Sequence, residues 1–424
     1  KDKWKRLYVR AMSGGAMIGG FCVVIYLGHI PLSLMVLAIQ AVMTREMFQL
    51  ARSKASLGVN FDESEEAGKL PGFRKQQWFL VFTATFYMYG SLLRNHFIEG
   101  IQANPNQLHN ALYFVLSHHD LICFSLYCLG IIAFVLSLKK GWFKYQFSQY
   151  AWTNMIIIFI VTQTSFFVAN LFQGLIWFLL PVTLVICNDI MAFFSGFFMG
   201  RTPLLKISPK KTWEGFIGGG ILTVLAAVPL ARLLCRYSWM TCPRRDLSLG
   251  WLNCEPSLTF TQDWQSLESL FKEATGRSLK GMVEGFGWEA LVNALESPFM
   301  TAPIDKHAIV LALFASAIAP FAGFFASGFK RAMKIKDFGE SIPGHGGLTD
   351  RMDCQCLMGL FAFLYYRNCV MEHEVLLADA MDSVLALSSD DQLALFTRLG
   401  YVLVGKQMLP NSTVAELGRI PAIP

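Results

Sequence analysis

The segment from Ser327 to Asp353 contains the side chains best suited to chemistry on phosphate groups. Its first part is basic, and four residues follow the i, i+3, i+4 spacing that places side chains on one helix face. These are Ser327, Lys330, Arg331 and Lys334. Lys336 and Asp337 follow directly. Cations gathered on one face would neutralise a polyphosphate or a lipid phosphate.

A loop and two carboxylates complete the segment. Glycines let backbone N–H groups approach phosphate oxygens. The loop residues are Pro343, Gly344, His345, Gly346 and Gly347. Asp350 and Asp353 then share one face at the predicted start of a helix. Paired carboxylates beside cations suit Mg²⁺, which keeps several waters and bridges substrate phosphates. The combination predicts phosphoryl or nucleotidyl transfer, although each part alone is also typical of a solvated surface.

A second basic stretch runs from Gly200 to Gly215. Ser208 followed by Pro209 predicts a helix start, where free N–H groups and the helix dipole attract anions. Lys210 and Lys211 add two charges there. The alternative is a juxtamembrane loop that contacts lipid headgroups. The residues favour neither interpretation.

Several polar residues fall inside or beside apolar blocks, where they are costly. Asp189 is in the middle of one, so it is a candidate functional carboxylate, with a buried pair to Lys or Arg as the structural alternative. The residues Arg45 and Glu46 are interpreted as interfacial and water-exposed. The residues at 118–120 are His, His and Asp; an interfacial loop is favoured there over a metal site.

The composition identifies the elements that must position these groups. Of the 424 residues, 54% are hydrophobic and 16% charged, against roughly 25% charged in soluble proteins. Disorder, a coiled coil and an ordinary soluble domain are therefore excluded. The net charge of +6 is too small to indicate nucleic-acid binding. The chain is predicted to be an all-α polytopic membrane protein.

Nine segments are apolar over about the length that crosses a bilayer. They are approximately 9–27, 31–50, 77–94, 118–138, 152–172, 175–199, 215–236, 307–328 and 354–370. Lys and Arg concentrate in alternate connections, which predicts their cytosolic location. These are residues 1–10, 51–76, 139–150, 200–214 and 329–353. Both basic motifs therefore face the cytosol.

The remaining chain predicts two appendages to the membrane region, 1–370. Residues 237–306 lie on the opposite side and are predicted to form a small luminal insertion between the seventh and eighth spans. Cys242 and Cys254 there are equally compatible with a disulfide and with two thiols. The tail, 371–424, is predicted to be helical, with a helix start at Ser389 and a stop at Gly400.

The segment from Ser327 to Asp353 resembles the signature of the phosphatidate cytidylyltransferases, also called CDP-diacylglycerol synthases. That signature is Ser, two residues, Lys-Arg, four residues, Lys-Asp, a Pro-x-His-Gly-Gly loop and Asp-Arg-x-Asp. Every fixed position is matched. The blocks 188–192 and 208–215 also resemble the eukaryotic branch. The resemblance covers about residues 1–370 and is uninformative for the insertion and the tail.

The resemblance implies that the enzyme makes CDP-diacylglycerol and pyrophosphate from CTP and phosphatidic acid with Mg²⁺. It also implies an endoplasmic-reticulum membrane enzyme that supplies phosphatidylinositol synthesis. Dimers are compatible with the family, although the sequence identifies no interface. Membrane lipids and the two substrates are the expected partners, and nucleic acid is not one.

Roles for single residues follow from joining the resemblance to the charge pattern. Asp350 and Asp353 are the expected Mg²⁺ ligands, with Asp337 and Asp189 as further ligands. Phosphate contacts are assigned to Lys330, Arg331, Lys336, Arg351, Lys210 and Lys211, with Ser208 and Ser327 beside them. His345 would orient a phosphate or assist the leaving group, and the loop from Gly344 to Gly347, including Gly346, would supply backbone donors. A transporter of an anionic solute and a lipid kinase are the competing functions.

Overall fold

The structure is a computed structural model. It describes residues 2–52, 73–102, 107–205, 208–244, 254, 257, 259–261, 263–265, 299–342, 346–371, 381, 384–385 and 387–406.

Helices dominate the described chain. In chain order they are α1 (Asp2–Leu27), α2 (His29–Ala51), α3 (Phe73–Gln102), α4 (Gln107–Ser117), α5 (His119–Leu136), α6 (Phe143–Ile156), α7 (Thr162–Phe172), α8 (Leu175–Met199), α9 (Trp213–Cys235), α10 (Ser238–Thr241), α11 (Pro303–Ala317), α12 (Ala319–Ala332), α13 (Thr349–Tyr365) and α14 (Ser389–Gly405). Two π-helical turns, Ile157–Val161 and Tyr366–Val370, continue α6 and α13. Two antiparallel strand pairs within the described residues are the additions to the all-α prediction: β1 (Pro203–Leu205) with β2 (Ser208–Thr212), and β3 (Asp263–Gln265) with β4 (Phe299–Thr301).

Six helical segments of the described chain are long and apolar enough to cross a membrane. They are His29–Ala51, His119–Leu136, Phe143–Phe172, Leu175–Met199, Trp213–Cys235 and Pro303–Ala332. The polytopic, mainly helical character is therefore confirmed. The other three predicted spans also lie on helices, within α1, within α3, and across α13 and its π-helical turn. The number nine stays a prediction.

The eighth predicted span is interrupted. Ile318 ends α11 and also precedes α12, with φ −110° and ψ −47°. Pro320 follows within the first turn of α12, where proline is tolerated because that turn has free N–H groups anyway. The break separates α12, which carries the basic motif, from the apolar α11.

Close helix packing places the site elements. In α9, a Cβ added to Gly219 would lie 2.8 Å from Ala192 of α8, so glycine is required for this approach. Helix α11 packs against both α8 and α9. On the other side, Asn170 of α7 donates from Nδ2 to the Gly359 carbonyl of α13 at 3.0 Å. These contacts fix α8 and α13, the helices that carry the predicted carboxylates.

The predicted insertion lies largely outside the described residues. Its described part contains the antiparallel β3–β4 pair and a disulfide between Cys242 and Cys254, whose Cα atoms are 5.8 Å apart. The disulfide resolves the pairing that the sequence left open.

The chain divides into two compact units, Lys1–Leu364 and Tyr365–Pro424. In the second unit, Ser388 caps α14, its hydroxyl oxygen accepting from the Asp391 N–H at 3.3 Å. The predicted helix start is thus confirmed to within one residue. The predicted stop at Gly400 is wrong, since α14 continues to Gly405. A single interior glycine costs only about 1 kcal/mol, too little to end a helix with apolar residues on both sides.

Candidate active site

A buried ion pair joins the two helices of the signature segment. Lys330 of α12 donates from Nζ to Oδ1 of Asp350 on α13 at 2.5 Å, and their side chains are 14% and 9% exposed. The other carboxylate oxygen, Oδ2, accepts the Phe338 N–H at 2.8 Å. Both oxygens of Asp350 are therefore engaged, one by a cation and one by the connecting loop.

The end of α12 differs from the prediction at one residue. Lys334 has φ 55°, and its N–H bonds the Arg331 carbonyl while the Ile335 N–H bonds the Lys330 carbonyl. This pair of bonds is a Schellman motif, in which the residue after the helix is left-handed. Ser327, Lys330 and Arg331 lie on α12, but Lys334 has left the helix. The expectation that it shares their face is wrong.

Glu46 of α2 is a site residue that the sequence interpretation missed. It is 2% exposed, not interfacial and water-exposed as expected. Its Oε1 accepts the Leu348 N–H at 2.9 Å. Its Oε2 accepts the Thr349 N–H at 2.9 Å and the Thr349 hydroxyl at 2.7 Å. A carboxylate buried at the start of α13 thus binds the free N–H groups of that helix. The charge in the middle of an apolar sequence block was the available signal.

Two glycines of the connecting segment lie against these carboxylates. A Cβ on Gly347 would be 2.9 Å from Asp350 Oδ2 and 3.0 Å from Glu46 Oε2. A Cβ on Gly339 would be 2.8 Å from the Glu46 carboxyl group. The absence of a side chain at both positions is therefore required for the loop to close around its anchors. This requirement is separate from any contact with phosphate.

Gly346 and Asp337 lie together in the same loop. Gly346 has φ 84°, a conformation that favours glycine, and a Cβ on it would be 3.3 Å from Asp337 Cγ. The Ile342 N–H donates to the Gly346 carbonyl at 2.9 Å. Gly344 and His345 lie outside the described residues.

Cations from two other elements, Lys211 and Lys330, lie near Asp353. Lys211 of β2 places Nζ 4.6 Å from the ring centroid of Phe324 on α12. Its charge interacts with both Asp189 of α8 and Asp353 of α13. Asp189 also interacts with Arg351, and Asp353 with Lys330. The structure thus brings together residues that are up to 164 positions apart in the chain (189 to 353).

The lysines 210 and 211 do not begin a helix. Ser208–Thr212 form strand β2, and α9 starts at Trp213. Thr212 is the N-cap, its hydroxyl accepting the Gly215 N–H at 3.2 Å. Glu214 accepts from the Thr202 hydroxyl at 2.8 Å and the Arg201 N–H at 3.1 Å. The predicted helix start at Ser208 is wrong because a hairpin, closed by Glu214, presents the lysines in extended backbone.

The remaining predicted phosphate ligands differ in exposure. Arg331, Lys336, Arg351 and Lys211 are exposed, whereas Ser208 and Ser327 are half-buried. Asp337, a predicted metal ligand, is also exposed, and the side chain of Lys210 lies outside the described residues. Exposed cations around the buried Lys330–Asp350 pair leave a positively charged rim that is accessible to an anion.

An apolar cavity of about 300 Å³ adjoins the carboxylates. Asp353 and Thr349 contribute polar atoms to its wall. The apolar lining comes from α2, α6 with its π-helical turn, α12, α13 and the loop, and includes Met43, Met47, Phe159, Phe325, Phe329 and Phe338. Asp353 therefore borders an apolar space and also lies near cations from other elements.

The carboxylates fit a magnesium ion unequally. Asp350 already binds Lys330 and a backbone N–H, whereas Asp353 accepts the N–H of its neighbour Cys354 at 2.7 Å and faces the cavity. Within the described residues, no three His, Cys, Asp or Glu side chains form a group that could hold a metal. Since Mg²⁺ is often held by one or two carboxylates plus substrate phosphates, Asp353 fits an ion that arrives with a nucleotide better than Asp350 does.

Comparison with known proteins identifies the family. The sequence pattern of the cytidylyltransferase family matches residues 8–369. The chain is 44% identical to phosphatidate cytidylyltransferase 1 of Arabidopsis thaliana, over 96% of this chain and 90% of that protein. It is 36% identical to phosphatidate cytidylyltransferase 2 of Homo sapiens, over 98% and 86% of the two chains. The resemblance inferred from the signature is confirmed: the chain belongs to the cytidylyltransferase family.

Proposed function

We propose that this protein transfers the CMP moiety of CTP to phosphatidic acid, giving CDP-diacylglycerol and pyrophosphate. The observation that carries the proposal is the position of Asp353, between an apolar cavity and a cluster of cations. A phospholipid needs an apolar surface for its tails and cations for its phosphate group. A nucleotide needs the cations. The family membership and the names of its relatives support the same reaction.

The two surroundings suggest how the substrates divide. The cavity suits the first part of the lipid's acyl chains, because its lining is almost entirely apolar. The exposed rim of Arg331, Lys336 and Arg351 suits the triphosphate. Lys211 is near enough to Asp353 to neutralise the lipid phosphate.

The chemistry requires charge neutralisation more than proton transfer. A phosphate monoester with a second pKa near 6 is already a dianion at pH 7. One of its oxygens attacks the α-phosphorus of CTP in line, a P–O bond to the lipid forms, and the bond to pyrophosphate breaks. Repulsion between two anions is the barrier, which fixed cations lower because their orientation is already set. A bound Mg²⁺ would supply further neutralisation between the phosphates.

Residue roles follow from what each side chain contacts. Asp353 and Asp189 would hold the magnesium ion. Asp350 orients Lys330 through the buried pair, and Lys330 presents its remaining protons toward the phosphates. Exposed Asp337 beside Gly346 is a weaker candidate ligand. His345 keeps both predicted roles, orienting a phosphate or assisting the leaving group.

The membrane setting completes the proposal. Six candidate spans place the enzyme in a membrane as a multi-pass protein. The basic connections favour a cytosolic active site, and the family resemblance favours the endoplasmic reticulum. Nine spans, a luminal insertion and a homodimer belong to the same proposal.

The test uses purified full-length protein in detergent–lipid micelles with phosphatidic acid, Mg²⁺ and CTP labelled at its α-phosphate. Label should enter the lipid phase with the wild type and fail to enter with EDTA or with Asp353→Asn. The matched control is Asp120→Asn, the same change in a carboxylate that pairs with Arg94 at 3.1 Å between α5 and α3. It should retain wild-type turnover.

The label position distinguishes the competing functions. A phosphorylated lipid without the α-phosphate label would indicate a lipid kinase, and no lipid product from folded protein would favour transport. Either result would overturn the proposed reaction. Normal turnover in Asp353→Asn would overturn the metal assignment alone.

A further inference from the structure

The burial of the Glu46 carboxylate costs free energy, and the proposed reaction does not explain why it is buried. It lies on α2, a candidate membrane span, and is 2% exposed. An ionised carboxylate buried in an apolar region is retained only where hydrogen bonds or charges compensate it. Here the compensation comes from Leu348 and Thr349, at the start of the helix that carries Asp350 and Asp353.

Glu46 occupies the helix start that a phosphate could otherwise use. The first N–H groups of a helix have no partner within the helix, and their positive end attracts anions. Two of these groups, together with the Thr349 hydroxyl, already bind the Glu46 carboxylate at 2.7–2.9 Å. The carboxylate therefore acts as a fixed internal anion for α13.

The contacts of Glu46 also determine where the loop runs. Gly339 and Gly347 approach its carboxyl group so closely that a Cβ on either would lie within 3.0 Å of it. Gly347 contacts Asp350 in the same way, and Asp350 binds the Phe338 N–H at 2.8 Å. Glu46 and Asp350 thus each contact both described ends of this loop, at residues 338–339 and at residues 347–349.

We propose that Glu46 is a positioning residue for the transfer reaction: through α13 and the loop it sets the location of Asp350 and Asp353 without touching substrate. The inference rests on the proposed function for the reaction that it serves. Its structural part, that the Glu46 charge fixes the start of α13, stands apart from that function and is measured separately.

The informative substitution is Glu46→Gln. The side chain keeps its length, but the amide has one acceptor oxygen, and its NH₂ group would face N–H or O–H donors that need an acceptor. At least one of the Leu348 and Thr349 donors is then left unpaired. Glu46→Asp keeps the charge on a shorter side chain, so it should show a smaller loss than Glu46→Gln.

The matched control lies on the same helix. Gln40 is 4% exposed, and its side chain binds Thr85, Tyr89 and Thr164 at 2.8–2.9 Å. Gln40→Met removes a buried hydrogen-bond network that joins α2 to α3 and α7. It therefore reports what a purely structural loss in α2 does.

Two readouts are needed on the full-length protein in micelles. Hydrogen exchange of a peptide that covers 346–352 reports the start of α13 without added substrate or metal. In Glu46→Gln the Leu348 and Thr349 amides should exchange at least tenfold faster. Label transfer from CTP to lipid should show kcat lowered about 10- to 100-fold, as expected for a small misplacement of reacting groups, with KM for CTP changed less than threefold. Glu46→Asp should lie between this variant and wild type, and Gln40→Met should change neither readout per folded molecule.

Unchanged exchange at Leu348 and Thr349 in Glu46→Gln would overturn the inference, and so would an equal kcat loss in Gln40→Met at the same thermal midpoint. Should Glu46→Gln not fold, Glu46→Asp with Gln40→Met decides the question by the same two readouts. A wild type without transferase activity would overturn the proposed function, while the exchange result would still decide whether Glu46 fixes α13.

Discussion

Two aspartates in this molecule are equally buried and have the same number of partners, but the cations that they bind differ. Asp305, near the start of α11, and Asp350, near the start of α13, each have a side chain that is 9% exposed. Each binds one cation from another helix and one backbone N–H: Arg232 and Ala302 for Asp305, Lys330 and Phe338 for Asp350. Burial and pairing alone do not distinguish them.

The partner cation distinguishes the two pairs. Arg232 contacts Asp305 through Nε at 3.2 Å and Nη2 at 2.8 Å, a two-point contact that fixes the geometry. Lys330 offers a single point charge with three protons. The Lys330–Asp350 pair also lies beside further charges, Lys211 among them, and beside the cavity that Asp353 lines. We therefore interpret the Arg232–Asp305 pair as a structural salt bridge, whereas Lys330 retains donors for a second anion.

The largest predicted effect separates the pairs by removing each cation. Lys330→Met should lower kcat/KM for label transfer at least about 100-fold, because a fixed charge near the phosphates is lost. Arg232→Met should leave activity per folded molecule unchanged. Lys330→Met should lower the thermal midpoint clearly, since breaking a largely buried pair costs about 3–5 kcal/mol. Arg232→Met should lower it less, because the Arg232 side chain is 43% exposed. Comparable activity losses in the two variants would contradict the assignment of Lys330 to the reaction and of Arg232 to structure.

An intermediate effect should come from exchanging the cation types. Lys330→Arg keeps the charge but forms a two-point contact with Asp350 and holds it more rigidly, so kcat should fall about tenfold with little change in thermal midpoint. Arg232→Lys should do the reverse, with lower stability and intact turnover. Kinetics and thermal unfolding on the same preparations check both. Full activity in Lys330→Arg would show that only the charge matters.

The smallest effect should appear at Lys211, which is exposed and acts at longer range. Lys211→Met should raise the apparent KM for CTP or for phosphatidic acid about fivefold, since one partly solvated charge contributes about 1 kcal/mol. Lys140→Met, in another exposed basic connection, is the control and should change neither KM. Unchanged saturation curves for both substrates in Lys211→Met would leave that lysine with a role in membrane topology only.

Much of the architecture and the family were predictable from the sequence. Apolar segments of span length form helices because a bilayer requires internal hydrogen bonding, and every predicted span lies on helix in the described chain. The signature between Ser327 and Asp353 identified the family because its residue types are dictated by phosphate chemistry. Local capping was less predictable: Thr212 rather than Ser208 starts α9, since both hydroxyl residues have a suitable local sequence.

Tertiary structure decided which groups act together. Glu46 is 302 residues from Leu348, and nothing near it in the chain indicates that its carboxylate would meet a helix start. Asp350 and Asp353 are equivalent in the sequence, yet one is bound by Lys330 and the other faces the cavity. Hydrophobicity and residue type are local properties, so the helices and the types of reactive side chain were predictable from the sequence alone. The pairing of charges needed the fold, because electrostatic interactions and hydrogen bonds depend on distances that local sequence does not set.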